Sequence, residues 1–184
     1  MKRLDCLKLL APMVDPHMLT VTSLSSNTAF WSDLRREGAS FFGCNMGLCI
    51  PFALGLTAAF PKRKVIALDS DGSLMNDTSS LITVADVNPP NFVAIVMDNG
   101  SYARMGSTFT TRKTDLEKIA QGAGIANTAT VRSEEAFSAA AQQALESTGP
   151  HFIVAKVEPD RVRVKGDPHR TYGRFMREMF ADAV

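Results

Sequence analysis

A chain of 184 residues with a formal net charge of +1 has room for one α/β domain with a complete core, and it lacks the basic excess of a nucleic-acid binder. Its hydrophobic and charged fractions, 45% and 21%, are those of an ordinary globular protein and exclude a disordered or fibrous class. The longest apolar stretch, residues 46–60, contains Pro51 and falls short of the ~18–20 residues needed to span a bilayer, so no membrane association is expected. Asp5 and Lys8 interrupt any leader-like apolar core near the N-terminus. Cys6, Cys44 and Cys49 are odd in number and lack CxxC spacing, which suits a reducing cytoplasm better than zinc or a disulfide framework.

In chain order, residues 3–10 read as a short amphipathic helix and 18–24 as a strand. Ser26 or Asn27 is placed to cap a helix over 28–36, followed by a strand at 40–43. A buried helix is expected over 46–60, ended by Pro61, then a strand at 65–68 and a helix over 73–85. Residues 91–97 form a second wholly apolar strand between Pro89-Pro90 and Asp98-Asn99-Gly100. Beyond it, 115–122 reads as helix, 128–132 as strand, 133–147 as helix with Glu134 and Glu135 in its first turn, 152–157 as strand and 172–183 as helix. Strands apolar on both faces, separated by helix-length segments, predict an α/β three-layer sandwich: a mostly parallel central sheet flanked by helices, with residues 1–184 as one domain.

The chemistry concentrates where two of these strands end. Val65-Ile66-Ala67-Leu68 runs into Asp69-Ser70-Asp71-Gly72-Ser73, acids and a glycine at the start of a helix. Gly72 permits close backbone approach, unpaired N–H groups at a helix start suit a phosphate, and Asp71 suits a Mg²⁺ bridging to that phosphate. A turn whose acid merely caps the helix is the plainer alternative. The second apolar strand ends in Asp98-Asn99-Gly100-Ser101-Tyr102, and consecutive parallel strands often lie side by side. Asn99 can then offer an amide oxygen, and Ser101 a backbone carbonyl, to the same octahedral ion. Taken alone, this segment is an Asn-Gly turn; together with Asp71 it is half of a metal site.

These residues resemble the thiamine diphosphate (ThDP) enzymes, whose signature is Gly-Asp-Gly and, some 25–30 residues on, Asn-Asn. Ser70 stands for the first glycine and Asp98 for the first asparagine. The metal ligands that the resemblance implies are Asp71, Asn99 and the Ser101 carbonyl. Cys44-Asn45-Met46-Gly47 is similar to the family's Gly-Ser-Met-Gly turn, in which an apolar side chain, here Met46, wedges between the cofactor rings. The resemblance thus implies ThDP and Mg²⁺ as cofactors, bound by Cys44, Asn45, Met46, Gly47, Ser70, Asp71, Gly72, Ser73, Asn99, Ser101 and Tyr102, with the Cys44 carbonyl facing the aminopyrimidine. It is nearest to the sulfopyruvate decarboxylase β subunit and the C-terminal half of phosphonopyruvate decarboxylase. That implies a decarboxylase (a lyase) acting on a small 2-oxo acid.

In that family a glutamate on a separate pyrimidine-binding domain activates the cofactor. This chain is too short to add that domain, so a partner subunit in a hetero-oligomer is expected to supply it, and the catalytic residue is not among those named here. Arg104 is the candidate for pairing with an anionic group of the substrate, while Arg112, Lys113, His17, His151 and His169 read as structural or surface residues. Two rival readings stand beside this one. Leu68 to Leu74 also resembles the strand-end motif of haloacid-dehalogenase-like, Mg²⁺-dependent phosphatases, with Asp69 as nucleophile and Asp71 as general acid/base. A non-catalytic cofactor-binding subunit would keep the metal site without turnover. An EF-hand is excluded, because loop position six falls on Leu74 where glycine is required.

Overall fold

The computed structural model describes residues 1–35, 37–102 and 105–160. The helix expected over 172–183, together with Arg104 and His169, lies outside these described residues. In chain order the elements are α1 (Arg3–Leu10), β1 (Leu19–Ser23), α2 (Ser26–Leu34), β2 (Ser40–Cys44), α3 (Cys49–Ala59), β3 (Val65–Ser70), α4 (Asp71–Leu74), α5 (Ser80–Val87), β4 (Phe92–Asp98), α6 (Leu116–Ala123), β5 (Asn127–Val131), α7 (Glu134–Glu146) and β6 (His151–Lys156). The six strands form one sheet in the order β2-β1-β3-β4-β6-β5, and every pairing is parallel.

The two apolar strands explain the layers. In β3 and β4 successive side chains point to opposite faces. Val65, Ala67, Phe92, Ala94 and Val96 join one core with Ile50 and Ala53 of α3, Leu81 and Val84 of α5 and Leu116 of α6. Ile66, Leu68, Val93, Ile95 and Met97 join the other with Leu7 of α1, Trp31 of α2 and Phe137 and Ala141 of α7. Both faces are covered, so the strands carry no polar stripe; burial of each large side chain contributes roughly 1.5–3 kcal/mol. The threonines of β1 are the exception, and they are satisfied: Thr20 donates to the Ser40 hydroxyl at 2.7 Å and accepts from the Trp31 indole at 3.0 Å.

Three sequence expectations need correction. The helix expected over 73–85 is two helices, α4 and α5. Asn76 donates its side-chain amide to the Gly72 carbonyl at 2.9 Å, and the Asp77 carboxylate accepts from Ser80 N at 3.3 Å. These side chains take over backbone groups that a continuous helix would use, so the chain turns between Met75 and Ser79. The helix expected from residue 46 starts at Cys49, leaving residues 45–48 as a turn. The helix expected from residue 28 starts at Ser26, and Asn27 is not its cap. Asn27 instead donates its side-chain amide to the Leu68 and Asp69 carbonyls at 3.1 and 2.8 Å, binding α2 to the end of β3.

Strand order places the site. β1 is followed in sequence by β2 on one side, whereas β3 leads on to β4 on the other. The crevice at the carboxyl ends of β1 and β3 is therefore a topological switch point, where open α/β sheets bind ligands.

Candidate functional site

A cavity opens at this switch point. It is lined by Ser23 to Ser26 at the end of β1, Met46 after β2, Ser70, Gly72 and Ser73 at the end of β3, and Asn99, Ser101, Tyr102 and Met105 after β4. Four strand ends thus contribute to one crevice. Arg3 and Asp160 complete the lining.

The turn after β2 forms one wall. Gly47 has φ +83°, a conformation natural only to glycine, and its N–H donates to the Ser73 hydroxyl at 3.2 Å. Met46 is 37% exposed and faces the cavity, whereas Cys44 is buried behind it. The Cys44 carbonyl accepts from Leu24 N at 2.9 Å, which uses one of its two lone pairs. Asn45 is exposed and is not part of the lining.

The turn after β3 forms the floor. Ser70 caps α4 with its hydroxyl, accepting from Ser73 N at 3.4 Å. Any side chain at Gly72 would strike the Tyr102 ring, since a Cβ there would lie 2.8 Å from Cδ1. Close approach of the two loops therefore requires glycine. Asp69 lies outside the cavity lining: it is buried, accepts from Ser70 N at 2.8 Å, and takes further hydrogen bonds from the Ser73 and Ser23 hydroxyls. Burial pushes its carboxyl up to about 6 against the pull of those donors. A nucleophile must meet its substrate, and Asp69 does not reach the lining.

Asp71 is wholly buried beneath that floor, and its two oxygens differ. Oδ2 accepts from the Thr108 hydroxyl at 2.6 Å, with the Thr110 hydroxyl 3.4 Å away. Oδ1 is buried and has no hydrogen-bond partner among the described residues. Desolvation raises the Asp71 pKa, the Thr108 bond opposes it, and neighbouring Asp98 adds to the rise. Asp98 is committed elsewhere, ion-paired with Lys156 and accepting from Thr110 at 2.8 Å. The Asn99 amide oxygen accepts from Ser101 N at 3.0 Å, in a turn that brings both residues to the cavity.

An orphaned, buried carboxylate oxygen is costly unless something pairs with it, and a divalent cation meets that need. Among the described residues no three His, Cys, Asp or Glu side chains cluster to form an all-protein metal cage. One carboxylate, one amide oxygen and one backbone carbonyl suit Mg²⁺, which takes one or two carboxylates and completes its shell with phosphate oxygens and water. The residues present therefore fit a magnesium–phosphate group.

Several site residues escaped the sequence reading. Arg3 is 4% exposed; its Nε donates to Asp160 at 2.8 Å and its Nη1 to Asn27 Oδ1 at 2.6 Å. Ser25 lines the cavity at φ 76°, a strained backbone for a serine, at the start of α2. Thr108 and Thr110 come from the far side of the loop after β4. The Ser-Thr-Gly richness of that loop was their only signal. No signal marked Arg3, which is 157 residues from Asp160.

Comparison with known proteins shows the family and the fold. Residues 26–155 match the family model for the thiamine pyrophosphate enzyme, C-terminal TPP binding domain, and the chain belongs to that family. Its relatives include the sulfopyruvate decarboxylase subunit beta of Methanocaldococcus jannaschii, 33% identical over 86% of this chain and 85% of that protein. A phosphonopyruvate decarboxylase of Streptomyces viridochromogenes is 29% identical over 91% of this chain but only 42% of its own length. The thiamine diphosphate-dependent 4-hydroxybenzoylformate decarboxylase of Rhodococcus jostii RHA1 shares the fold, with a TM-score of 0.69 over 88% of this chain and 33% of that one, at 23% identity. Family membership decides against the phosphatase reading of residues 68–74. No described helix is long and apolar enough to cross a membrane.

Proposed function

We propose that this chain, as one domain, holds the diphosphate end of ThDP and its Mg²⁺ in the switch-point cavity. With a pyrimidine-binding partner chain it would form a decarboxylase of small 2-oxo acids. Asp71 Oδ1, the Asn99 amide oxygen and the Ser101 carbonyl are the proposed ligands of the ion. The floor at Ser70, Gly72 and Ser73, the wall at Cys44 to Gly47, and Tyr102 are the proposed contacts of the cofactor, with Met46 as the wedge between its rings. When bound, the cofactor supplies the electron sink for loss of carbon dioxide.

The observation that carries this reading is the Oδ1 of Asp71, buried beneath the cavity floor and without a hydrogen-bond partner among the described residues. Sulfopyruvate and phosphonopyruvate are the first substrates to test, because the relatives named above are decarboxylases of those acids. The beta-subunit name of the first relative, and the extra length of the second, support a separate chain for the missing half. Arg104 is the proposed partner of the substrate's second anionic group. The three cysteines, all buried and unpaired, suit action in the cytoplasm.

A melting titration with ThDP and Mg²⁺ tests the proposal. Ligand at a hundred times its dissociation constant should add about 2.7 kcal/mol of stability, and Asp71→Ala should abolish the gain. An unchanged melting curve for the wild type, or an equal gain in the variant, overturns it. Release of carbon dioxide from each candidate acid, measured with the partner chain present, identifies the substrate.

A further inference from the structure

The two oxygens of Asp71 are held differently. A chain of hydroxyls reaches Oδ2 from the loop after β4: Thr108 donates to it at 2.6 Å, and Thr110 lies 2.8 Å from Thr108 Oγ1 and 2.8 Å from Asp98 Oδ1. Asp98 is in turn fixed by Lys156. Thr108 is 0% exposed, and its own N–H donates to the Gly100 carbonyl at 2.9 Å, which anchors the backbone that carries the hydroxyl. The carboxylate is therefore held through Oδ2, and Oδ1, buried and without a hydrogen-bond partner among the described residues, is the oxygen left to meet a cation.

We infer that Thr108, supported by Thr110, is a positioning residue that holds Asp71 to one-oxygen coordination and so selects Mg²⁺ over Ca²⁺ at this site. The inference rests on the proposal that Asp71 binds the cofactor's metal. Mg²⁺ needs near-octahedral geometry at about 2.0–2.1 Å, which a single well-aimed oxygen satisfies. Ca²⁺ takes six to eight oxygens at about 2.3–2.6 Å and gains from a carboxylate that turns to offer both of its own. Turning Asp71 in that way breaks the Thr108 bond. Removing that hydroxyl frees the carboxylate to rotate, which weakens the aim toward Mg²⁺ and opens the two-oxygen mode.

The test is the melting temperature of the full chain at fixed ThDP while MgCl₂ or CaCl₂ is titrated. Thr108→Val keeps shape and volume but removes the donor. It should raise the Mg²⁺ concentration for half-maximal stabilisation about tenfold, the usual scale for losing a group that orients a ligand. The Ca²⁺ requirement should rise less, so the ratio of the two midpoints moves toward Ca²⁺. Thr108→Ser should restore the wild-type ratio. Thr110→Val, whose hydroxyl is one step further from Asp71, should shift the ratio in the same direction and by less. An unchanged midpoint ratio in both valine variants overturns the inference, as does a serine variant that fails to restore it. A wild type with no metal-dependent shift overturns the underlying metal assignment instead.

Discussion

The Gly47 N–H donates to the Ser73 hydroxyl across 3.2 Å, joining the turn after β2 to the turn after β3. These segments are 26 residues apart in sequence, and each lines a different wall of one cavity. Met46 directly precedes Gly47, so the bond ties its turn to the α4 turn. Ser73 also donates to buried Asp69, so one hydroxyl is central to both turns.

Ser73→Ala should therefore destabilise the protein by about 1–3 kcal/mol, the usual penalty for leaving a buried donor unmatched. Urea unfolding followed by circular dichroism measures it. The same variant should bind ThDP more weakly than its lost stability explains, because the Met46 wall and the Asp71 floor are no longer held together. Wild-type cofactor affinity in Ser73→Ala would show that the two walls are set independently.

Gly72→Ala places a methyl group 2.8 Å from the Tyr102 ring, well inside ordinary contact. Either the ring or the α4 turn must move. Overpacking of this kind costs roughly 1–3 kcal/mol, and here it should appear mainly as weaker ThDP binding, since both loops line the cavity. Adding Tyr102→Ala should recover part of the loss, and a double-mutant cycle on melting temperature with and without ThDP measures the coupling. Strict additivity of the two substitutions would refute a steric origin.

Much of this site was legible because it sits at strand ends. β3 and β4 are apolar on both faces, so the sequence itself marks where each strand stops and where Asp71 and Asn99 emerge. Adjacency of the two strands brings Asn99 to the crevice and Asp71 beneath its floor. Arg3 was invisible for the opposite reason: α1 precedes the whole sheet, and only its packing beside α2 and α7, with Asp160 from beyond β6, brings the guanidinium to the cavity. The break between α4 and α5 was hidden because residues 73–85 contain no Gly or Pro. The competition came from Asn76 and Asp77, whose side chains act only once the preceding turn is in place.

Arg3 and Asp160 form a largely buried ion pair at the cavity edge, with side chains 4% and 21% exposed. Arg3→Met leaves Asp160 with the Ser26 hydroxyl in place of an ion pair and takes the Arg3 donor from Asn27 Oδ1, and breaking such a pair from one side costs about 3–5 kcal/mol. Arg3→Lys should recover little, because one ammonium cannot reproduce the forked bonds from Nε and Nη1. The double variant Arg3→Met with Asp160→Asn should lose less than Arg3→Met alone. Denaturant midpoints of the four proteins test this, and a lysine variant as stable as wild type would reduce the role of Arg3 to charge alone.

Asp69 gives the fold a pH dependence whose sign follows from its burial. Its folded pKa, about 6, lies above the ordinary value of 3.8, so the folded state holds the proton more tightly than the unfolded state does. Stability from this residue is accordingly greatest below about pH 4 and falls as pH rises through 6. The difference corresponds to a penalty on the order of 3 kcal/mol at neutral pH. Asp69→Asn carries no such titration, although its amide accepts fewer of the hydrogen bonds from Ser70, Ser73 and Ser23. The variant should therefore be the less stable protein near pH 4.5 and gain on wild type steadily up to pH 7. Urea midpoints of both proteins across that range provide the measurement. A constant difference would mean that the Asp69 carboxyl titrates at the same pH folded and unfolded, with the serine donors fully offsetting its burial.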